Sequence, residues 1–312
     1  MEKVQLGRTG LWVSRLCFGA LAVGPLQRNL PVDEGARVIR HALDRGINFV
    51  DTAQLYQCYP YIRKAVAGRD DVIIASRSYD YTYGGMRQAV EEARRELDRD
   101  VIDIFMLHEQ ESALTLKGHR PALDYLVEAK GRGIIRAIGV STHHVACVEA
   151  ICDYPEIEVV SPLLNKAGLG IIGGREAMER AIAKAHALGK GVYLMKALGG
   201  GHLIGDVRSA FAYALAFPHT HAVAVGMSSI GEVEVNLALF SGEAVDDATL
   251  QGLVRHKTLH VESWCQRCGL CVERCPAGAL SLGAEGLRIE HQKCLLCGYC
   301  GAACPEFALK II

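Results

Sequence analysis

The run CQRCGLCVERCPAGAL, residues 265–280, returns 29 residues later as CLLCGYCGAACPEFAL, residues 294–309. The copies agree at eight of sixteen positions: four cysteines, Gly269/Gly298, Pro276/Pro305, Ala279/Ala308 and Leu280/Leu309. Such a repeat marks a unit built twice on one plan. Each copy reads C-x-x-C-x-x-C-x-x-x-C-P, and three thiolates at three-residue intervals can wrap three corners of one iron-sulfur cube. A tetrahedral zinc site more often joins two C-x-x-C pairs across an intervening loop, so zinc fits less well and a disulfide knot less well again. Between the copies, SLGAEGLRIE (281–290) reads as two short strands about a glycine-containing turn.

Upstream of the repeat the pattern changes. After a candidate hairpin, VQLGRTGLWVS, eight short apolar runs alternate with longer helical patterns: 15–20, 47–53, 71–76, 101–108, 134–141, 157–161, 191–196 and 222–228. In the helical pattern 84–98, Met86, Val90, Ala93 and Leu97 share a face, as do Met178, Ile182 and Ala185 in 174–188. Eight strand and helix pairs in strict alternation predict an α/β fold, a parallel (β/α)8 TIM barrel, over a doubly wound sheet. No G-x-G-x-x-G follows the first strand, which weakens the dinucleotide-sheet option. The expected organisation is a barrel over 1–240, a linker over 241–261 and a small α+β iron-sulfur domain over 262–312.

The chain of 312 residues has a formal net charge of -1 and no basic stripe, so nucleic acid and an anionic membrane are poor partners. The opening MEKVQLGRTG lacks an apolar run behind its charge, and no segment reaches about 18 uninterrupted apolar residues, which predicts a soluble, cytoplasmic protein. Of twelve cysteines, eight crowd into the repeat while Cys17, Cys58, Cys147 and Cys152 are scattered singly, a distribution that suits metal better than disulfides.

Chemistry in a barrel of this kind sits at the C-terminal ends of strands. Asp51 ends the second strand, Tyr56 follows in its loop, Arg77 lies near the end of the third and His108 ends the fourth. Singly they read as a helix cap, packing, a surface charge and a structural histidine; together they form a constellation. Cys58 and the pair His143–His144 also fall near the mouth, where packing and helix-start polarity account for them. The loop LGGGHL, 198–203, can present backbone amides to a phosphate, although glycines also serve simply to turn.

Over 262–312 the sequence resembles the two-cluster bacterial ferredoxins, in which the fourth cysteine of each run crosses to the other cluster. The resemblance implies two [4Fe-4S] clusters, one on Cys265, Cys268, Cys271 and Cys304, the other on Cys294, Cys297, Cys300 and Cys275. Over 3–240 the chain resembles the aldo-keto reductases, through GINFVDTAQLY, DVIIASR, VIDIFMLH, IRAIGVS, VYLMKALGGG and VGMSSIGEVEVN in the family's order. That family reduces carbonyls with a nicotinamide hydride through an Asp, Tyr, Lys, His tetrad, which maps to Asp51, Tyr56, Arg77 and His108. Tyr56 would donate the proton, with its pKa brought down by the adjacent cation, and a neutral His108 would orient the carbonyl. Arg77 is a departure, since a planar fork replaces a point charge.

The resemblance also implies cofactor contacts. Ser141 fits a carboxamide contact and Asn236 an adenine-side position, while Ser161 stands where the family usually has Gln and Met195 where an aromatic often stacks. Asn165, Lys196, Leu198, Gly199, Gly200 and Ser228 complete the set. Gly226 and Glu232 align with positions that often carry cations for a 2'-phosphate, so NAD(H) is favoured over NADP(H). A carbonyl or alcohol substrate, clusters exchanging electrons with a redox partner protein, and a flavin kept open as mediator follow. The alternative is an electron-transfer subunit whose barrel docks a partner or holds another cofactor and does not use a nicotinamide.

Overall fold

A computed structural model describes residues 1–312. Strands β1 (Lys3–Gln5) and β2 (Trp12–Ser14) form an antiparallel hairpin, with Lys3 opposite Ser14. Eight strands follow: β3 (Leu16–Gly19), β4 (Phe49–Asp51), β5 (Ile73–Ser78), β6 (Ile102–Leu107), β7 (Ile135–Thr142), β8 (Val159–Pro162), β9 (Gly191–Met195) and β10 (Ala222–Gly226). They close into one parallel barrel, β10 pairing with both β3 and β9. The eight apolar runs each supply one of these strands.

Side-chain alternation along the strands divides the barrel's apolar residues into two sets. Cys17, Phe49, Ile73, Ala75, Ile104, Met106, Ala137, Val159 and Tyr193 pack with Leu6, Leu11 and Val13 of the hairpin in a buried cluster of 13 residues. Phe18, Val50, Ile74, Phe105, Ile138, Val160, Val192 and Val223 join the helices in a cluster of 58. The helix Tyr83–Leu97 buries Met86, Val90, Ala93 and Leu97 there, with Thr82 accepting the Gly85 amide at its start. Stepping by two from Phe49, Ala75 and Met106 reaches Asp51, Arg77 and His108. The same alternation that fills the barrel with hydrocarbon therefore places polar groups at its C-terminal end.

Residues 241–261 are more than the linker the sequence suggests. They hold a helix, Asp247–Val254, started by Asp246 accepting from Thr249, and a strand β11, Leu259–Val261. The hairpin of β12 (Leu280–Gly283) and β13 (Gly286–Ile289) lies between the cysteine runs, and β14 (Leu309–Ile311) pairs antiparallel with β11. The module's sheet thus begins at Leu259, because Leu259, Leu280, Leu309 and Ile311 share its small apolar core with Cys271 and Cys300. No helix is long and apolar enough to cross a membrane.

Candidate functional site

Asp51 and Arg77 form an ion pair inside the barrel top, with side chains 10% and 2% exposed. Arg77 Nε also donates to the Thr52 carbonyl at 3.1 Å, and the Tyr193 hydroxyl donates to Asp51 at 2.7 Å. Burial works against both charges. Burial pushes the Asp51 carboxyl above its ordinary value, although Arg77 and the Tyr193 hydrogen bond oppose it. Burial, the largest single influence, pulls Arg77 down, but Asp51 together with Tyr193, Tyr56 and Cys17 more than offsets it and the guanidinium stays charged.

Above the pair, the Arg77 guanidinium carbon lies 5.9 Å from the centre of the Tyr56 ring. Tyr56 meets His108 edge to face at 5.8 Å, and Tyr79 stacks on His108 at 4.1 Å. The Tyr79 hydroxyl donates to Glu109 at 2.5 Å. The mouth therefore brings Asp51, Tyr56, Arg77 and His108 together. One electrostatic expectation is corrected: burial pushes the Tyr56 phenol upward, and the lowering influence of Arg77 is the smaller effect. His108 is held well below its ordinary value by burial, then by the Arg77 and Lys196 charges, and so is neutral near pH 7. Its Nδ1 has no hydrogen-bond partner, nor has the buried Ser161 Oγ. Unpaired buried polar atoms beside a mouth are suited to a bound molecule.

The expected cofactor contacts are less uniformly placed. Ser141 Oγ accepts the Glu109 amide at 3.0 Å, and Asn165 bonds its own loop at Leu169 through both side-chain atoms. Ser228 donates to Glu232 from its amide at 2.6 Å and its hydroxyl at 3.0 Å. Glu232 is also paired with Lys257, so it is not the unpartnered carboxylate that the charge argument required. Asn236 is buried on the helix Ile230–Phe240, and Gly226 is exposed at the end of β10. Lys196 Nζ lies 2.8 Å from His143 Nε2 and 5.3 Å from the centre of the Phe307 ring. Cys58 is buried, its thiol against the Ala20 and Tyr56 carbonyls.

Four residues at the mouth lay outside the sequence reading: Tyr79, Glu109, Tyr193 and Phe307. Alternation along β9 was the available signal for Tyr193. Glu109 and Lys196, just beyond barrel strands, and Gln57, which follows Tyr56 in the loop after β4, have φ of +46°, +58° and +55°. Such backbone is uncommon outside glycine and clusters where function demands it.

In the module the cysteines fall into two sets. Burial, then nearby Cys304, Cys265 and Cys268, push the Cys271 thiol up. Cys275, Cys294, Cys297 and Cys300 line one cavity. No three of the thiols converge on a single-ion site. The fourth cysteine of each run accepts a backbone amide at 3.3 Å, Cys275 from Ala279 and Cys304 from Ala308. A cavity lined by four soft cysteine ligands, with an amide aimed at the sulfur of the fourth cysteine of each run, fits a four-iron cube.

A model of the Aldo/keto reductase family matches residues 15–211, and a 4Fe-4S dicluster domain model matches 264–308. L-galactose dehydrogenase of Arabidopsis thaliana is 24% identical over 296 residues, 76% of this chain and 88% of that protein. D-threo-aldose 1-dehydrogenase of a Pseudomonas species is 29% identical over 174 residues, spanning 43% of this chain and 51% of its own length. Among solved structures, an aldo-keto reductase of Pseudomonas aeruginosa superposes with a TM-score of 0.67 at 26% identity, covering 76% of this chain and 93% of its own.

Proposed function

Because the chain belongs to the aldo/keto reductase family, we propose that it interconverts a carbonyl and an alcohol on a small molecule, with its two-cluster module relaying electrons to or from a redox partner protein. The observation behind this reading is the grouping of a protonated phenol, a neutral imidazole and a charged guanidinium at one barrel mouth. In the reducing direction, negative charge grows on the substrate oxygen. Tyr56 holds its proton at neutral pH and donates it there, while His108 positions the oxygen by a hydrogen bond. The Arg77 guanidinium, fixed by Asp51, supplies a positive field without having to reorganise.

Clusters held by the two cysteine sets supply electrons singly, and carbonyl reduction needs two, so a two-electron carrier, nicotinamide or flavin, belongs to the proposal. The pairing of Glu232 with Lys257 removes the reason for preferring NAD(H) over NADP(H). The names of the sugar-oxidising relatives make aldoses and their alcohols the first substrates to test. The test is anaerobic turnover followed by bleaching of cluster absorbance. Tyr56→Phe is expected to slow turnover roughly 100-fold or more. Turnover within about twofold of the parent would remove Tyr56 from the chemistry. It would favour the second reading, an electron-transfer subunit whose barrel does not use a nicotinamide. One observation supports that alternative, the covering of the glycine loop by the C-terminal module.

A further inference from the structure

The two cysteine runs differ at one matched position in a way that costs backbone energy. Gly278 of the first has φ +57°, and its counterpart in the second is Phe307, at φ +47°. A left-handed backbone is easy for glycine and unfavourable for a bulky side chain. Strain of this kind persists only where surrounding contacts hold it.

The contacts that hold Phe307 come largely from the barrel. Phe307 is 3% exposed. A Cβ on Gly170 would stand 2.9 Å from its ring, and one on Gly200 would stand 3.0 Å from its Cζ and 2.9 Å from Cδ of Lys310. His143 meets the ring edge to face at 6.5 Å, while the side-chain nitrogens of Lys196 and Lys310 lie 5.3 and 3.3 Å from its centre. The approach continues along β14. Ile311 lies against Gly201, and the Leu309 carbonyl is 2.8 Å from His202 Nε2, whose ring leaves no room for a side chain on Gly301. Gly200 and Gly201 are therefore needed for close approach of another part of the same chain, while Gly199 packs against Leu169 and Leu203 of the barrel. Four of the loop's six amides are also committed: Gly199 donates to Lys196, Gly201 to Leu198, His202 to Gly199 and Leu203 to Leu198.

We propose that the C-terminal module occupies the glycine loop in place of a dinucleotide's phosphates, with Phe307 as the residue that sets this cofactor specificity. The mouth then serves its substrate with residues 198–203 closed to NAD(H) and NADP(H). The inference rests on the proposed function only in taking this mouth as the place of reaction, and it narrows the two-electron carrier to one not bound on the loop.

The test uses anaerobic protein with both clusters in place, and Phe307→Gly, which installs the residue of the matched position. NADH and NADPH are titrated by calorimetry, and hydrogen exchange is followed at residues 199–203. The parent should show no saturable binding of either dinucleotide up to about 1 mM. Phe307→Gly should speed exchange of the loop amides by roughly 100-fold with the cluster spectrum kept. Saturable binding to the parent, or equal exchange in parent and variant, overturns the proposal. Should Phe307→Gly lose its clusters, His202→Ala loosens the same contact from the barrel side and is read by the same two outcomes. Dinucleotide binding by the parent would leave the Tyr56 chemistry standing, whereas an uninformative Tyr56→Phe result on turnover would leave the covered loop standing.

Discussion

Replacing Arg77 by methionine would keep most of the side-chain volume while leaving Asp51 in the barrel with only the Tyr193 hydroxyl as partner. Removing one member of a buried ion pair typically costs about 3–5 kcal/mol, because the other charge stays desolvated. The lost bond from Arg77 Nε to Thr52 falls within that sum. Asp51 can relieve part of the cost by taking a proton, and its carboxyl is already pushed upward by burial. We therefore expect a loss near the low end, about 3 kcal/mol at pH 7. The sign of the pH dependence follows from linkage. An acid whose folded pKa is raised binds more protons folded than unfolded, so the deficit should shrink as pH falls toward about 5. Arg77→Lys keeps the charge but not the fork, and should cost about 1 kcal/mol for the lost hydrogen bond. Thermal melting of the cluster-loaded protein, followed by far-ultraviolet circular dichroism, should place the methionine variant roughly 6 °C or more below the parent. Melting within about 2 °C of the parent at pH 7, or a deficit that grows on acidification, would refute the argument that Arg77 holds Asp51 charged.

Cluster-loaded protein should carry about eight iron atoms per chain, and Cys304→Ala should damage the cluster of Cys265, Cys268 and Cys271 while sparing the other, as resolved by electron paramagnetic resonance. Loss of the cluster on Cys294, Cys297 and Cys300 instead would break the crossed assignment. His108 and His143 are both held well below their ordinary value, burial being the main cause. Their unfolded forms take up protons below about 6.5 and the folded forms do not, so stability should be complete above that pH and fall as pH drops below it. Urea midpoints at pH 7.5, 6.5 and 5.5 measure this. His108→Gln should flatten the fall, and an unchanged slope would place its origin elsewhere.

The barrel was legible because period-two strands and period-3.6 helices write themselves into the order of apolar residues, as at Phe49, Val50 and Asp51 or along Met86 to Leu97. Asp51, Arg77 and His108 were visible as polar residues at strand ends. The upward push on Tyr56 was not, because it depends on how closely the surrounding side chains enclose the phenol. Leu259–Val261 passed for a linker since its partner is Leu309–Ile311, and pairing between distant segments leaves no local trace. The run 198–203 shows a different gap. Glycine reports that something comes close to the backbone without saying what, and the clue lay in Phe307, where the repeat calls for glycine.

The clasp between β14 and the glycine loop has a consequence in time. A chain is made from its N-terminus onward at about 5–20 residues per second, and domains fold in that order. Phe307 follows the end of β10 by about eighty residues, so several seconds of synthesis separate closure of the barrel from arrival of its cap. Throughout that interval the glycine loop stands uncovered, and its cover arrives only after every strand of the barrel has been made.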